Sequence, residues 1–212
     1  MAVLIVAPHQ MNGSHNYRQA EFLSSAHTLA QLPEDKGREI AFAGRSNSGK
    51  SSVLNILTDH KGLARTSKTP GRTQTMNIYV IGDGIRLLDL PGYGYARVSQ
   101  KLREHWAHTL NRYFMTRLSL SGLVLITDIR RELSGPDRVM LEWCEAAGLP
   151  VHVLLNKADK LSHGAASRVL NKIERESRSC GASVQLFSAL KKSGVEELSS
   201  WMDHCLRAQN SS

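Results

Sequence analysis

Gly44-Arg45-Ser46-Asn47-Ser48-Gly49-Lys50-Ser51 decides how this chain folds. It is set between the apolar run Ile40-Ala41-Phe42-Ala43 and the helical run Ser52-Val53-Leu54-Asn55-Ile56-Leu57. Strand, glycine-rich loop, helix is the order of a phosphate-binding loop. Gly44 and Gly49 let the backbone curl with its N–H groups pointing inward, and the helix N-terminus behind them adds partial positive charge. Lys50 can reach the terminal phosphates of a nucleotide, and the Ser51 hydroxyl can ligate Mg²⁺. Gly44 to Ser52 are therefore the first nucleotide-binding candidates. The ligand class they imply is a nucleoside triphosphate with magnesium.

Outward from this loop, strands alternate with helices, which predicts a parallel sheet covered on both faces. Strands are expected at about 39–43, 76–81, 85–90, 123–127, 151–155 and 184–187, six in all. The second and third are joined by Gly82-Asp83-Gly84, a hairpin turn, so one strand should run against the rest. Helices are expected behind the phosphate loop and at about 100–118, 136–147, 164–178 and 195–206. Ahead of the first strand, Phe22, Leu23, Ala26 and Leu29 fall on one side of a short helix predicted over 20–30. Residues 1–19 read as a mobile tail and 20–212 as a single domain. His60 to Thr75 lacks apolar periodicity and reads as a long functional loop.

The 212 residues suffice for one sizeable α/β core. No apolar run approaches the roughly 20 residues of a membrane span. Met1 to Ala7 is apolar but short and lacks a basic n-region, so it does not read as a signal peptide, and stable membrane insertion is not expected. Three dispersed cysteines show no disulfide or metal spacing and point to a reduced, cytoplasmic compartment. The net charge of +8 exceeds what nucleotide binding needs and favours polyanions such as RNA, DNA or an acidic membrane leaflet.

Three further motifs narrow the ligand. Asp89-Leu90-Pro91-Gly92 ends a strand, where the carboxylate can hold Mg²⁺ through water and the Gly92 amide can meet the γ-phosphate. Asn156-Lys157-Ala158-Asp159 follows a buried strand at the carboxyl edge of the sheet. A carboxylate there accepts from guanine N1–H and N2–H₂ together, a pair of donors that adenine lacks. Phe187-Ser188-Ala189 follows the last strand, and small residues there let the Ala189 amide approach guanine O6.

These elements in this order resemble the TRAFAC-class GTPases, and more narrowly the EngB family of bacterial GTPases. The resemblance is carried by Glu39 to Asn47, by Lys68-Thr69-Pro70-Gly71-Arg72-Thr73-Gln74 and by Asp89-Leu90-Pro91-Gly92-Tyr93-Gly94-Tyr95-Ala96. It implies a Ras-like fold, GTP and GDP as ligands with Mg²⁺, and a role in large ribosomal subunit assembly that affects cell division and septation. By the same resemblance Thr73 completes the Mg²⁺ shell with Ser51 and Asp89, and Gly71, Arg72, Thr73, Gln74 and Thr75 lie over the phosphates. Lys50, Thr73 and Gly92 are the catalytic candidates. Ser48 departs from the aliphatic residue common there and reads as a surface-loop substitution. The protein is expected to act as a monomer.

Ras-like enzymes carry a water-orienting Gln directly after the glycine of the Asp-x-x-Gly motif. Tyr93 stands there, so slow intrinsic hydrolysis is expected, on the order of 10⁻⁴ to 10⁻³ s⁻¹. Asn47 matches a K⁺ ligand of related potassium-activated GTPases, which makes K⁺ a second candidate cofactor. The alternative is an Asn that tolerates an unusual backbone conformation. Lys61, Arg65, Lys68 and Arg72 in one loop, and Arg97, Lys101 and Arg103 after the other, are candidates to meet ribosomal RNA. Arg130-Arg131 reads equally as an RNA contact or a solvated loop.

Overall fold

The computed structural model describes residues 15–64, 75–82, 84–93 and 100–207, with only the backbone of 100, 102 and 103. In chain order the elements are β1 (Glu21–Ala26), β2 (Arg38–Gly44), α1 (Lys50–Leu57), β3 (Met76–Val80), β4 (Ile85–Asp89) and α2 (Gln100–Thr116). They continue with β5 (Leu120–Asp128), α3 (Gly135–Ala146), β6 (Val151–Asn156), α4 (His163–Glu176), β7 (Ser183–Leu186) and α5 (Val195–Arg207). The sheet has seven strands in the order β1-β3-β4-β2-β5-β6-β7. β2 lies parallel to β4 and β5, and β6 parallel to β5 and β7. β3 runs against both neighbours, β4 and β1, and is the one reversed strand. The turn that reverses it uses Gly82 and Gly84, both at positive φ, where a side chain would be strained.

Alternate residues of the central strands feed two cores. Leu123 and Leu125 of β5 face α2, α3 and α4 with Leu110, Met140 and Ile173. Val124 and Ile126 face α1 and α5 with Val53, Leu54, Leu198 and Met202. A parallel sheet buried on both faces produces such continuous apolar strands.

Two expectations need correction at the N-terminus. The segment predicted as a helix is strand β1, followed by a 3-10 turn at Leu29–Gln31, so the sheet has seven strands rather than six. Its apolar stripe is split: Ala26 is fully buried and Leu29 packs on the core, but Phe22 and Leu23 are exposed, and the Phe22 ring meets Tyr79 edge-on with centroids 6.0 Å apart. The edge of β3 offers this segment a backbone ladder, and that pairing outweighs the weak helical periodicity of a short, serine-bearing stretch. Residues 15–19, inside the range assigned to a tail, are also held against the domain. Tyr17 is buried and donates to Asp203 of α5 at 2.7 Å, with His15 on the same carboxylate oxygen at 2.8 Å.

At the end of the sheet away from the phosphate loop, Glu39 is fully buried. It accepts from Arg86 Nε at 2.8 Å and from Arg117 Nε and Nη2 at 3.0 and 2.5 Å. Among the described residues, no helix is long and apolar enough to cross a membrane.

Candidate functional site

β2, β4, β5, β6 and β7 end on one side of the sheet, and the loops leaving them meet there. The loop from Gly44 to Gly49 turns around its own hydrogen bond, Ser48 N to Arg45 O at 2.9 Å, and delivers the chain into α1. Gly49 caps α1 at φ 97. A Cβ on Gly49 would stand 2.3 Å from Asn156 Nδ2, and one on Gly44 2.6 Å from the Ile126 carbonyl. Neither position admits a side chain, so the loop backbone packs directly against β5 at Gly44 and against Asn156 at Gly49. A cleft of about 1130 Å³ is lined by Arg45, Ser46, Asn47, Lys50, Ser51 and Ser52 on one side. Asp89, Leu90, Pro91, Gly92 and Lys157 line the other, and Phe22, Ser25 and Tyr79 close its far end.

Lys50 Nζ bonds the Asp89 carboxylate, whose second oxygen takes Asn77 Nδ2 at 3.5 Å. Asp89 is thus a buried acid fixed at the tip of β4, and Leu90 N continues the ladder to Phe42 O at 2.9 Å. Ser51 sits one residue into the first turn of α1 on the same cleft. No three His, Cys, Asp or Glu side chains cluster as a metal site among the described residues. A hydroxyl plus one carboxylate suits Mg²⁺, which keeps most of its shell as water and phosphate oxygen. The donor set of Lys50, Ser51 and Asp89 around the glycine-bounded loop therefore fits a magnesium-bound nucleotide. Thr75 is half-buried and bonds Asn77 at 3.3 Å. Gly71, Arg72, Thr73 and Gln74 lie outside the described residues, as do Arg65, Lys68, Arg97, Gly94, Tyr95 and Ala96.

The base-side motifs interlock with the phosphate loop. Asn156 Nδ2 donates to Ser48 O at 2.8 Å, and Asn156 Oδ1 accepts from Lys157 N at 2.8 Å and Ala189 N at 3.3 Å. Lys157 adopts φ 65 and sends Nζ to Asn47 O at 2.7 Å and to Asp128 at 2.9 Å. Ala158 N bonds Phe187 O at 3.0 Å, which joins the two base loops. Ser188 Oγ donates to Asp159 Oδ1 at 2.5 Å and itself accepts from Lys191 N at 3.1 Å. The Ser188 bond holds the Asp159 carboxyl below the ordinary carboxylate range. Asp159 is therefore an ionised acceptor, held on one oxygen by Ser188 and paired on the other with Lys160 Nζ at 3.3 Å.

Asp128 escapes sequence reasoning. It ends β5, where it takes Arg130 Nε and Nη2 at 2.9 and 2.7 Å and Lys157 Nζ. The Arg130 bonds, with Lys157, pull its carboxyl well below the usual range despite burial. The available signal was its place as a strand-ending acid, the position that made Asp89 legible. Arg130 is spent on this acid, while Arg131 is exposed.

Three loop residues differ from, or refine, their reading. Ser48 is 3% exposed, not a surface substitution, and its hydroxyl has no partner among the described residues. An orphan buried hydroxyl is unfavourable, so Ser48→Ala is expected to stabilise the protein by about 1 kcal/mol. A melting point raised by roughly 2–4 °C without nucleotide would check this. Asn47 stands at φ 66, a conformation that Asn tolerates. The conformational account of this residue thus has a direct observation. Tyr93 is turned into the protein: its carbonyl accepts from Ser46 N at 2.9 Å, and its hydroxyl bonds Asp137 in the first turn of α3. Burial, then the Asp137 charge, pushes that hydroxyl well above its ordinary pKa. Asp137 Oδ2 also caps α3 through Ser134 N at 2.6 Å. Tyr93 therefore ties the phosphate loop to α3.

Comparison with known proteins follows the same lines. The family model described as 50S ribosome-binding GTPase matches residues 39–157. The Probable GTP-binding protein EngB of Nitrosococcus oceani is 50% identical over 192 residues, covering 90% of this chain and 96% of that protein. A crystal structure of a probable GTP-binding protein EngB superposes with a TM-score of 0.67 at 22% identity, over 81% of this chain and all of that one. A point variant of Aquifex aeolicus Era, bound to GDP and AlF₄⁻, superposes with a TM-score of 0.64 at 21% identity, over 82% of this chain and 58% of that one.

Proposed function

Since this chain belongs to the EngB family of GTP-binding proteins, within the GTPases, we propose that it is a magnesium-dependent switch in large ribosomal subunit assembly. On this reading it binds GTP, hydrolyses it slowly to GDP and phosphate in the cytoplasm, and is needed for normal division and septation. The observation that carries the guanine part is the frame made by Asn156, Lys157, Asp159, Ser188 and Ala189, bonded directly to the phosphate loop through Ser48 and Asn47. Base and phosphate subsites built as one polar unit suit a nucleotide read at both ends. The ribosomal part is supported by the name of the matching family model and by the basic balance of the chain.

Phosphoryl transfer of this kind needs positioning and charge stabilisation more than covalent chemistry. Lys50 would leave Asp89 for the β- and γ-phosphates as nucleotide enters. Inward-facing amides from Gly44 to Ser51 would hold the phosphate oxygens. Ser51, Asp89 and, in the GTP state, Thr73 would hold Mg²⁺, which neutralises charge building on the phosphates. The Gly92 amide would meet the γ-phosphate, so that its loss releases the loop beyond. Turnover without a partner is expected to stay near the unassisted value of about 10⁻⁴ to 10⁻³ s⁻¹, and a rate above about 1 s⁻¹ would overturn this. If Asn47 ligates K⁺, turnover in KCl will exceed that in NaCl, and equal rates dismiss the ion. Tighter pelleting with large subunits in a GTP analogue than in GDP is the result expected of a switch, and equal pelleting in the two removes the switch.

A second reading is a nucleotide-gated RNA- or ribosome-binding module with negligible turnover. It is favoured by Tyr93, whose hydroxyl is committed to Asp137. Single-turnover loss of GTP on ribosomes separates the two.

A further inference from the structure

We infer that the outward face of α4 is a docking surface for the phosphate backbone of RNA, engaged alike in the GDP and GTP states. The inference builds on the ribosome-directed reading above and names which surface carries it. The basic excess of the chain is not evenly spread. From His163 to Arg178, α4 and the two residues after it, there are four Lys or Arg against two Glu, a local excess of two in 16 residues.

The helix in this segment is sharply two-sided. Ala166 and Ile173 are buried under α4. Arg168, Asn171 and Arg175 fall within an arc of about 60° on the opposite side, and Arg178 extends the row past the helix end. All four are exposed. The two outer helical arginines stand about 10 Å apart along the axis, a span that reaches successive phosphates. Among the described residues, none of Arg168, Arg175 and Arg178 forms an ion pair with a carboxylate. The nearby acids are met by other cations: Glu176 by Arg138 at 2.9 Å and Lys172 at 3.8 Å, and Glu132 by Lys172. Glu174 lies at the flank of the row. Arg175 Nε is held by Asn171 O at 3.1 Å, which leaves its terminal amino groups forward.

The chemistry selects the occupant. Guanidinium forks match phosphate oxygens bidentately. A membrane-surface helix would pair its cations with apolar side chains able to enter lipid, and this row has none. A protein partner would call for a buried aromatic or aliphatic anchor, also absent from the row. α4 packs at the β6–β7 end of the sheet, four strands from β4, or about 19 Å from the Asp89 edge. A surface this far from Gly92 and fixed by buried Ala166 and Ile173 does not depend on the γ-phosphate.

The test uses the full chain and a mixed-sequence RNA hairpin at several salt concentrations, with GDP and with a GTP analogue. Combining Arg168→Gln, Arg175→Gln and Arg178→Gln is expected to weaken RNA binding by about 10- to 100-fold at 0.1 M salt. The slope of log affinity against log salt should become shallower by about two to three. The effect should be equal in both nucleotide states, with guanine-nucleotide affinity unchanged. An equal charge change at Arg18, Lys36 and Arg207 should leave RNA binding within about twofold. Unchanged RNA binding by the α4 variant, or weakening in one nucleotide state alone, overturns the inference. So does binding to phosphatidylserine vesicles in place of RNA. Failure of the unaltered protein to pellet with large subunits removes the ribosomal reading instead. If the α4 variant pellets as the unaltered protein does, only this surface falls.

Discussion

Asp159→Asn is expected to lower GTP affinity by roughly 10³- to 10⁴-fold while leaving the triphosphate cradle intact. A site built to accept two hydrogen bonds rejects a ligand so strongly because the mismatch leaves buried polar groups unpaired. Here the carboxylate is held by Ser188 Oγ at 2.5 Å on one oxygen and Lys160 Nζ at 3.3 Å on the other. An amide in its place keeps one acceptor and turns a donor toward guanine N1–H or N2–H₂. One bond is lost and one contact becomes repulsive. Xanthine carries a carbonyl where guanine carries the 2-amino group, so the same variant should gain affinity for XTP. Calorimetric competition among GTP, XTP and ATP reads all three. GTP preference surviving the substitution would remove Asp159 from base selection. Acidification gives a second check. The Ser188 bond lowers the Asp159 pKa, so its ionised form persists below the ordinary carboxylate value. Guanine selectivity should therefore stay level from pH 8 to 5 and fail only in stronger acid.

How much of this could be read from the chain depended on whether the signal was local. The phosphate loop was legible because strand, glycines and helix are adjacent, and each does a job that few other residues can do. The Asn156–Asp159 and Phe187–Ala189 stretches were legible because each follows a short apolar strand and lands at the same sheet edge. β1 was not, because its pairing with β3 joins Glu21 to Val80 and Ala26 to Met76, across 59 and 50 residues. Nothing in Phe22-Leu23-Ser24-Ser25 announces such a partner, and helical spacing of four apolar residues pointed elsewhere. Ser48 was misread for a related reason. A loop residue is usually exposed, but this one is turned beneath the cradle against Gly44 and Ile126, whose position only the folded sheet defines. Tyr93 was singled out for what it lacks; its bond to Asp137, 44 residues on, gives what it does. Asp128 needed its two cations, one at the next-but-one residue and one 29 residues away, before it became more than a strand-ending acid.

The largest stability loss is expected not at the cleft but at the opposite end of the sheet, from Glu39→Gln. Glu39 is fully buried at the start of β2. It neutralises Arg86 of β4 and Arg117 just past α2, and Tyr113 of α2 points its hydroxyl at the same carboxylate at 3.4 Å. The two guanidiniums are committed further. Arg86 reaches the Lys36 and Glu34 carbonyls, and Arg117 takes Pro33 O at 2.9 Å and Asp35 at 3.4 Å. One carboxylate thus holds the loop before β2, the start of β4 and the end of α2 together. Neutralising it leaves buried Arg86 without a carboxylate and Arg117 with Asp35 alone, and breaking one side of a buried ion network costs about 3–5 kcal/mol. For a chain of this size that is a fall of about 10 °C in melting temperature. Because this end is remote from the cleft, GTP affinity measured where the variant is still folded should be unchanged, and saturating GTP should restore part of the lost stability by mass action. Replacing Glu39, Arg86 and Arg117 together with apolar residues of similar volume should be milder than Glu39→Gln alone, since no buried charge is then left unpaired and partly exposed Asp35 keeps its bonds to Leu118 and Ser119. A loss below about 1 kcal/mol for Glu39→Gln would mean that water reaches these arginines and that the network is not the clamp its geometry describes.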